Sequence, residues 1–329
     1  MEAVKLGTIG SGVIVRSILN NVMRTEGISL EAVYSRTQEK GRALAQAYGC
    51  DKVYTDMDAF LADESINTVY IATPNLLHYL QAKRALLCGK HVICEKPFTT
   101  RADQARELIQ LAKERGLMLM EAAPTTFLPN YRVLLRELPR VGRVRLVLSN
   151  YSQYSSRYDN VLNGEKPNIF NPEYAGGCLM DINFYNVLLN VALFGKPKEA
   201  VYYANLYPGL ADTSGVMVLR YDDFVSQNAG AKDTWGVNSF QIEGEKGYIY
   251  IENGSNGLAG IRVVTRSSDE TFNDQPDPDR WYYEVQEMTR LLRAEAREEI
   301  DSRLEGTLAT VEVMESARKA AGLRFPGDL

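Results

Sequence analysis

Val4-Lys5-Leu6-Gly7-Thr8-Ile9-Gly10-Ser11-Gly12-Val13-Ile14-Val15 is the stretch that decides the fold. The apolar run from Val4 to Ile9 reads as a buried strand, and from Val13 to about Arg24 the spacing becomes helical. Between them lies G-x-G-x-x-V, with valine in the third glycine position. Gly10 permits a tight turn, and Gly12 lets backbone come close to a ligand. The start of the following helix stabilises negative charge. Strand, turn and helix in this order suit a dinucleotide pyrophosphate held by Gly10, Ser11, Gly12, Val13 and Ile14.

Working outward, the first ~120 residues alternate short apolar runs with helical patterns, which predicts βαβ units and a parallel sheet. Strands are expected at Leu30–Ser35, Thr68–Thr73, His91–Cys94 and Leu117–Glu121, the last as the sixth strand of the sheet. Helices are expected at Thr37–Tyr48, Asp56–Leu61, Asn75–Cys88 and Thr100–Arg115, with Asn75 as an N-cap. After Pro124 the pattern changes. A short helix (Asn130–Leu138), a long strand (Val144–Tyr154) and a loop (Ser155–Ala175) lead into a helical stretch, Gly176–Phe194. Six short strand runs then follow between Val201 and Thr265, separated by turns, which favours an antiparallel sheet. Helices at Trp281–Arg297 and Ser302–Ala321 close the chain. The fold class is α/β: an N-terminal Rossmann doubly wound parallel sheet over residues 1–122, and a C-terminal α/β domain over 123–329 with a large, mostly antiparallel open sheet, for substrate binding and oligomerisation.

The 329 residues carry a net charge of -5, which gives no electrostatic reason to expect nucleic acid or an anionic membrane. No apolar run approaches the ~20 residues of a membrane span. The first residues enter a strand directly, without a signal peptide's apolar core, so a cytoplasmic location is expected. Cys50, Cys88, Cys94 and Cys178 form no CxxC pair, and disulfides are not expected in a reducing compartment. Cys88 and Cys94 are expected to be buried small hydrophobes. Two histidines, His78 and His91, are too few for a zinc site of usual composition, and no metal is expected.

Several residues fall at the carboxyl ends of the predicted strands, where open α/β sheets bind ligands. The second strand ends Tyr34-Ser35-Arg36, a hydroxyl and a guanidinium where NAD sites usually carry an acid. Arg36 can pair with a 2′-phosphate, so NADP is favoured and NAD remains possible. Thr73-Pro74-Asn75 ends the fourth strand, with His78 one turn on, beside cofactor or substrate. Glu95-Lys96-Pro97 follows Val92-Ile93-Cys94, placing a lysine where it can bond a substrate oxygen and a glutamate where it can reach the nicotinamide ribose. In Gly176-Gly177-Cys178-Leu179-Met180-Asp181-Ile182-Asn183-Phe184-Tyr185, Asp181 and Tyr185 are four apart, hence on one helical face. The two glycines let this helix start approach another surface. If that surface is the cofactor crevice, Lys96, Asp181 and Tyr185 converge. Tyr185 is then a proton shuttle with its pKa lowered by Lys96, and Asp181 orients the substrate or balances Lys96. Arg157, Tyr158 and Asn168 of the Ser155–Ala175 loop are candidate partners for sugar hydroxyls.

These segments together resemble the Gfo/Idh/MocA family, named for glucose–fructose oxidoreductase and inositol 2-dehydrogenase. The carriers are Gly7-Thr8-Ile9-Gly10-Ser11-Gly12, Ala72-Thr73-Pro74-Asn75 with His78, Gly89-Lys90-His91-Val92 through Glu95-Lys96-Pro97, and Gly176-Gly177 with Asp181. The resemblance implies a Rossmann domain beside an open-sheet domain that commonly forms dimers or tetramers, a catalytic Lys96, and a Lys96–Pro97 bond that is often cis. It implies an NAD(P)-dependent oxidoreductase moving hydride between nicotinamide and a hydroxyl or carbonyl carbon of a sugar, polyol or dihydrodiol. Two positions depart from the pattern. Tyr185 replaces the usual histidine, as in members of the dihydrodiol and xylose dehydrogenase type, and Asn183 replaces the usual glycine. Two rival readings are a non-catalytic NADP-binding redox sensor of the same fold, and an enzyme that retains its nicotinamide for internal redox.

Overall fold

The computed structural model describes residues 1–328, and the chain divides into two units. One comprises Met1–Ala123 with Asp279–Leu308; the other comprises Pro124–Pro278 with Ala309–Leu329. The sequence reading drew a single boundary, 1–122 and 123–329. In the structure the stretch from Asp279 to Leu308 groups with the first unit.

In chain order the first unit begins β1 (Val4–Ile9), α1 (Val13–Val22), β2 (Ile28–Tyr34), α2 (Gln38–Ala47), β3 (Val53–Tyr54), α3 (Met57–Ala62), β4 (Thr68–Ile71), α4 (Asn75–Leu87), β5 (His91–Glu95), α5 (Ala102–Glu114) and β6 (Leu119–Ala122). All six strands are parallel, in the order β3-β2-β1-β4-β5-β6, the doubly wound arrangement that the alternating pattern predicts. The two-residue β3 had no strand run assigned to it, because two residues give no periodicity to read. The central strand β4 is buried throughout, as a strand covered on both faces must be. Val15, Ile18, Leu19 and Val22 form the buried stripe of α1 at helical spacing.

The second unit contains α6 (Pro129–Glu137), β7 (Val144–Ser152), α7 (Tyr158–Leu162), a π-helical turn (Leu179–Asn183), α8 (Phe184–Phe194), β8 (Glu199–Leu206), β9 (Asp212–Arg220), β10 (Val225–Ala231), β11 (Ser239–Gly244), β12 (Gly247–Glu252), β13 (Ile261–Thr265) and β14 (Asp269–Phe272). Its eight-stranded sheet runs β14-β13-β12-β11-β7-β10-β9-β8, antiparallel except where β10 pairs with β7. Buried residues alternate along it: Phe240 and Ile242, Ile249 and Ile251, Ile261 and Val263. One face is thus core and the other open. On the core side, buried asparagines fasten α8 to the sheet. Asn186 Nδ2 donates to Ala229 O at 2.9 Å, and Asn190 Nδ2 to Asn228 Oδ1 at 2.8 Å.

Two further helices follow, α9 (Arg280–Arg293) and α10 (Arg297–Ala320). The first packs on α1 within the first unit: Asn21 Nδ2 donates to Asp279 at 2.8 Å, and the Arg24 guanidinium lies 4.3 Å from the Tyr282 ring centre. By length and mean hydropathy alone the helical stretch Pro172–Phe194 could cross a membrane, though Glu173, Gly176, Gly177, Asp181 and Asn183 in its first half interrupt any apolar run. Of its most apolar window 78 % is buried inside the protein, which is how a core helix sits. Cys88 corrects another expectation. It lies at the C-cap of α4 and is exposed, whereas Cys94 on β5 is buried.

Candidate active site

The sheet register places the first set of residues. Ile9 pairs with Tyr34 on one side and Ile71 on the other, and Ile71 pairs with Cys94. Gly10, Ser35, Ala72 and Glu95 therefore follow one another along a single carboxyl edge. Gly10 has φ 121°, and a Cβ there would overlap the Ala72 carbonyl, so only glycine lets the chain pass this strand end. Gly12 is the exposed N-cap of α1, and nothing crowds the space its side chain would fill. The two glycines, the uncapped helix start and the exposed Val13 make a cradle that fits a pyrophosphate. Ser35 is buried, and its Cβ would stand 3.2 Å from any Cβ placed at Gly41 on α2. Arg36 is exposed.

Further along the edge the side chains are tied down. Asn75 is the first residue of α4 and Pro74 its N-cap, so the predicted Asn75 cap moves by one position. Proline holds the cap conformation without a side-chain bond. His78 is fully buried, with Nδ1 3.0 Å from Pro97 O and Nε2 2.9 Å from Thr73 O. Both ring nitrogens face protein carbonyls, so His78 acts by joining the strand end at Thr73 to the turn after Lys96. Burial pushes its pKa down. The Lys96–Pro97 bond is cis, as the resemblance implies. Lys96 is half-buried, whereas Glu95 points inward. The Glu95 carboxylate accepts from Tyr70 Oη at 2.5 Å and from Lys96 N at 3.2 Å, and burial raises its pKa.

The second set lies in the other unit. Gly176 sits against backbone, where a Cβ would stand 2.6 Å from Ile169 O. Gly177 has φ 121° and would overlap the Asp212 carboxylate. The surface that the glycines approach is therefore the Asn168–Ile169 backbone and Asp212, inside this unit. Asp212 accepts from Leu179 N at 2.7 Å and from Tyr202 Oη at 2.6 Å, fixing the start of the helical stretch. Its burial raises its pKa to about 6. Asp181 falls in the π turn, where bonding is i→i+5, so the 3.6-residue argument for a shared face with Tyr185 does not describe this segment. Asp181 pairs with Lys232, a buried lysine just after β10 that sequence spacing gave no reason to select. Asn183 fits closely over Gly230, whose missing side chain makes room for it, and donates to Asn228 O at 3.2 Å.

Tyr185 is buried at the start of α8, edge-on to Tyr151 (ring centres 6.0 Å apart) and to Phe184 (5.6 Å). Tyr158 is half-buried among Tyr154, Phe170 and Tyr207. Arg157 and Asn168 are exposed. Trp235, stacked on Tyr154 at 5.6 Å and 78 % exposed, was not singled out from the sequence.

A parallel sheet with a glycine cradle at its carboxyl edge, and a lysine beyond β5, define a nicotinamide-dependent oxidoreductase. The comparisons with known proteins specify it further. Residues 4–123 match the oxidoreductase family with an NAD-binding Rossmann fold, and residues 137–250 match the GFO/IDH/MocA C-terminal domain. The chain belongs to the Gfo/Idh/MocA family. It is 35 % identical over 328 residues to scyllo-inositol 2-dehydrogenase (NADP(+)) IolU of Bacillus subtilis, covering 99 % of each chain. It is 25 % identical to human trans-1,2-dihydrobenzene-1,2-diol dehydrogenase, again over 99 % of each. Among solved structures, the 3-ketoreductase KijD10 of Actinomadura kijaniata, in complex with NADP and TDP-benzene, shares the fold. Its TM-score is 0.84 at 22 % identity, covering 96 % of this chain and 97 % of that one.

Proposed function

We propose that the enzyme is an NADP-preferring dehydrogenase acting on a CH–OH carbon of a polyol, sugar or dihydrodiol, and that its substrate is a ring polyol of the inositol kind. Membership of the family carries the reaction class, and the full-length 35 % relative, an NADP-linked inositol dehydrogenase, supports the polyol. Bound nicotinamide supplies a hydride acceptor or donor at the substrate carbon. Gly10, Ser11, Gly12, Val13 and Ile14 hold the pyrophosphate, and Thr73, Pro74 and Asn75 line the same edge. His78 keeps that edge in place, and Glu95 supports the ribose side from beneath.

Lys96 binds the reacting oxygen and stabilises the negative charge that grows there. Tyr185 transfers the hydroxyl proton, and its packing between aromatic rings fixes the phenol's direction. Asp181, held by Lys232, orients the substrate. Arg157, Tyr158 and Asn168 contribute to the wall that selects among substrates, from a loop, where specificity commonly resides. The test is turnover of NADP+ and NAD+ against inositols, aldoses and diols. Saturable NADPH formation supports the reading. Tight cofactor binding without turnover of any compound favours the non-catalytic sensor instead.

Arg36 carries the cofactor preference: it is exposed, and it has no ion pair among the described residues. Arg36→Ala is expected to raise the Kd for NADP+ by about tenfold or more while moving that for NAD+ less than about threefold, the loss of one charge-assisted bidentate pair. Fluorescence titration with both cofactors measures it, and equal losses would reject the 2′-phosphate contact.

We also propose a cytoplasmic homodimer or homotetramer joined through the open sheet. The outward rows of that sheet carry Leu146, Leu148, Val216, Val218, Tyr248 and Tyr250, all half-buried. Between them β11 presents Gln241 and Glu243, so the face mixes apolar and polar rows, a composition that suits an interface between soluble subunits. Tyr250→Glu is expected to convert the oligomer to monomer in light scattering; an unchanged mass would place the interface elsewhere.

A further inference from the structure

Three carboxyls are buried in the first unit, and two of them, Glu121 and Glu284, have no part in the chemistry above. Glu95 ends β5, Glu121 lies on β6, and Glu284 on α9, and all three are buried. Glu121 pairs in register with Cys94, one residue before Glu95. Its two oxygens accept from Phe98 N and Thr307 Oγ1, each at 2.9 Å. Glu284 is 0 % exposed, and neither of its carboxyl oxygens has a hydrogen-bond partner. A carboxylate in that state would carry a large desolvation cost. A neutral acid carries much less of it. No group of three or more His, Cys, Asp and Glu among the described residues is placed to hold a metal ion, so the three are not a metal site.

We propose that Glu284 and Glu121, with Glu95, are positioning residues for Lys96. Glu95 accepts from Lys96 N and Glu121 from Phe98 N, so two buried acids flank the turn that carries Lys96, and negative charge on this cluster favours the charged form of the Lys96 amine. The inference rests on reading Lys96 as the catalytic lysine. The ionisable groups around Glu284 are Tyr70 on β4, Glu95 and Lys96 at the end of β5, Glu121 on β6, and Arg280 at the start of α9, and Cys94 lies beside Glu95 and Glu121. Burial raises the pKa of all three acids, Glu121 to about 7, and each further carboxylate makes the next proton harder to remove. Lys96 and Arg280 are the cations that oppose this. Loss of the Glu121 proton near pH 7 therefore adds negative charge at the Lys96 turn, which raises the affinity of that amine for its own proton. Lysine would otherwise lose charge as the crevice dries around bound ligands.

The experiment reads the charge on Lys96 directly. In full-length protein labelled with 13Cε-lysine, the Lys96 signal is identified by its absence from Lys96→Met, and its shift is followed with pH. In Glu284→Gln and in Glu121→Gln its midpoint is expected to fall by about one unit, the effect of removing one nearby carboxylate. An unchanged midpoint in both overturns the proposal, whether or not Lys96 is catalytic. A lowered midpoint, with the alkaline limb of kcat moving equally, supports both readings. A lowered midpoint with an unmoved kcat profile supports the charge relation and removes Lys96 from catalysis. Folding is checked in the same samples. Glutamine imitates the neutral acid, so each variant should match the parent in Tm near pH 5 and exceed it at pH 8. The raised acid pKa means that the parent loses stability as pH rises through it.

Discussion

Lys96→Met is expected to lower kcat by roughly a thousandfold or more and to leave the Kd for NADP+ within about threefold of the parent. Methionine keeps the length and apolar stem of lysine and removes the charge and its three donors. Lys96 is half-buried beyond the end of β5, and the turn it belongs to is held by other bonds, notably those of His78 to Pro97 O and Thr73 O. The fold should therefore survive, with Tm changed by no more than a few degrees. The loss belongs in kcat, because charge on the reacting oxygen develops during hydride transfer and a group that meets it there acts mainly in the transition state. Steady-state kinetics beside a fluorescence titration of NADPH separate the two quantities. Near-normal turnover in this variant would remove Lys96 from the reaction.

Tyr185→Phe removes one oxygen and keeps the ring. The edge-on contacts with Tyr151 and Phe184 survive, so stability should stay close to the parent's. If Tyr185 moves the hydroxyl proton, kcat falls by about 10²- to 10⁴-fold, the usual contribution of a placed acid or base, and the pH dependence of kcat loses the ionisation that this phenol supplies. Retention of more than about a tenth of the activity would give the proton transfer to another group. Asp181 offers no equally clean test. Its carboxylate is paired with the buried Lys232, and Asp181→Asn leaves that ammonium without its charge partner, so stability and activity change together.

The parallel sheet was legible because two signals coincide there. Each strand is a short apolar run, and each turn at the carboxyl edge carries residues with a specific backbone role, Gly10 above all. Tyr185 and Lys96 could be selected for the same reason: each sits at a fixed offset from a recognisable element start or end. Lys232, Glu121 and Glu284 could not. Their importance comes from burial beside groups far away in sequence, and neither period nor spacing records that. The π turn was also invisible, since one extra residue per turn alters no composition. It weakens the argument that put Asp181 and Tyr185 on one α-helical face. The glycines of Gly176-Gly177 were read correctly as places of close approach, but the neighbours they admit, Asp212 and the Ile169 carbonyl, come from segments without a motif.

The first unit is assembled from both ends of the chain: α1 is covered by α9, more than 250 residues later. This has a consequence for synthesis in the cell. A ribosome that has finished β6 must still make the whole 124–278 segment before the helix covering α1 exists. At about 5–20 residues per second that interval is roughly eight to thirty seconds. For that time α1 lacks its partner helix, and Asn21 and Arg24 lack the Asp279 and Tyr282 contacts, which makes the nascent domain a natural target for chaperones acting during translation. An isolated 1–123 fragment would lack that helix permanently.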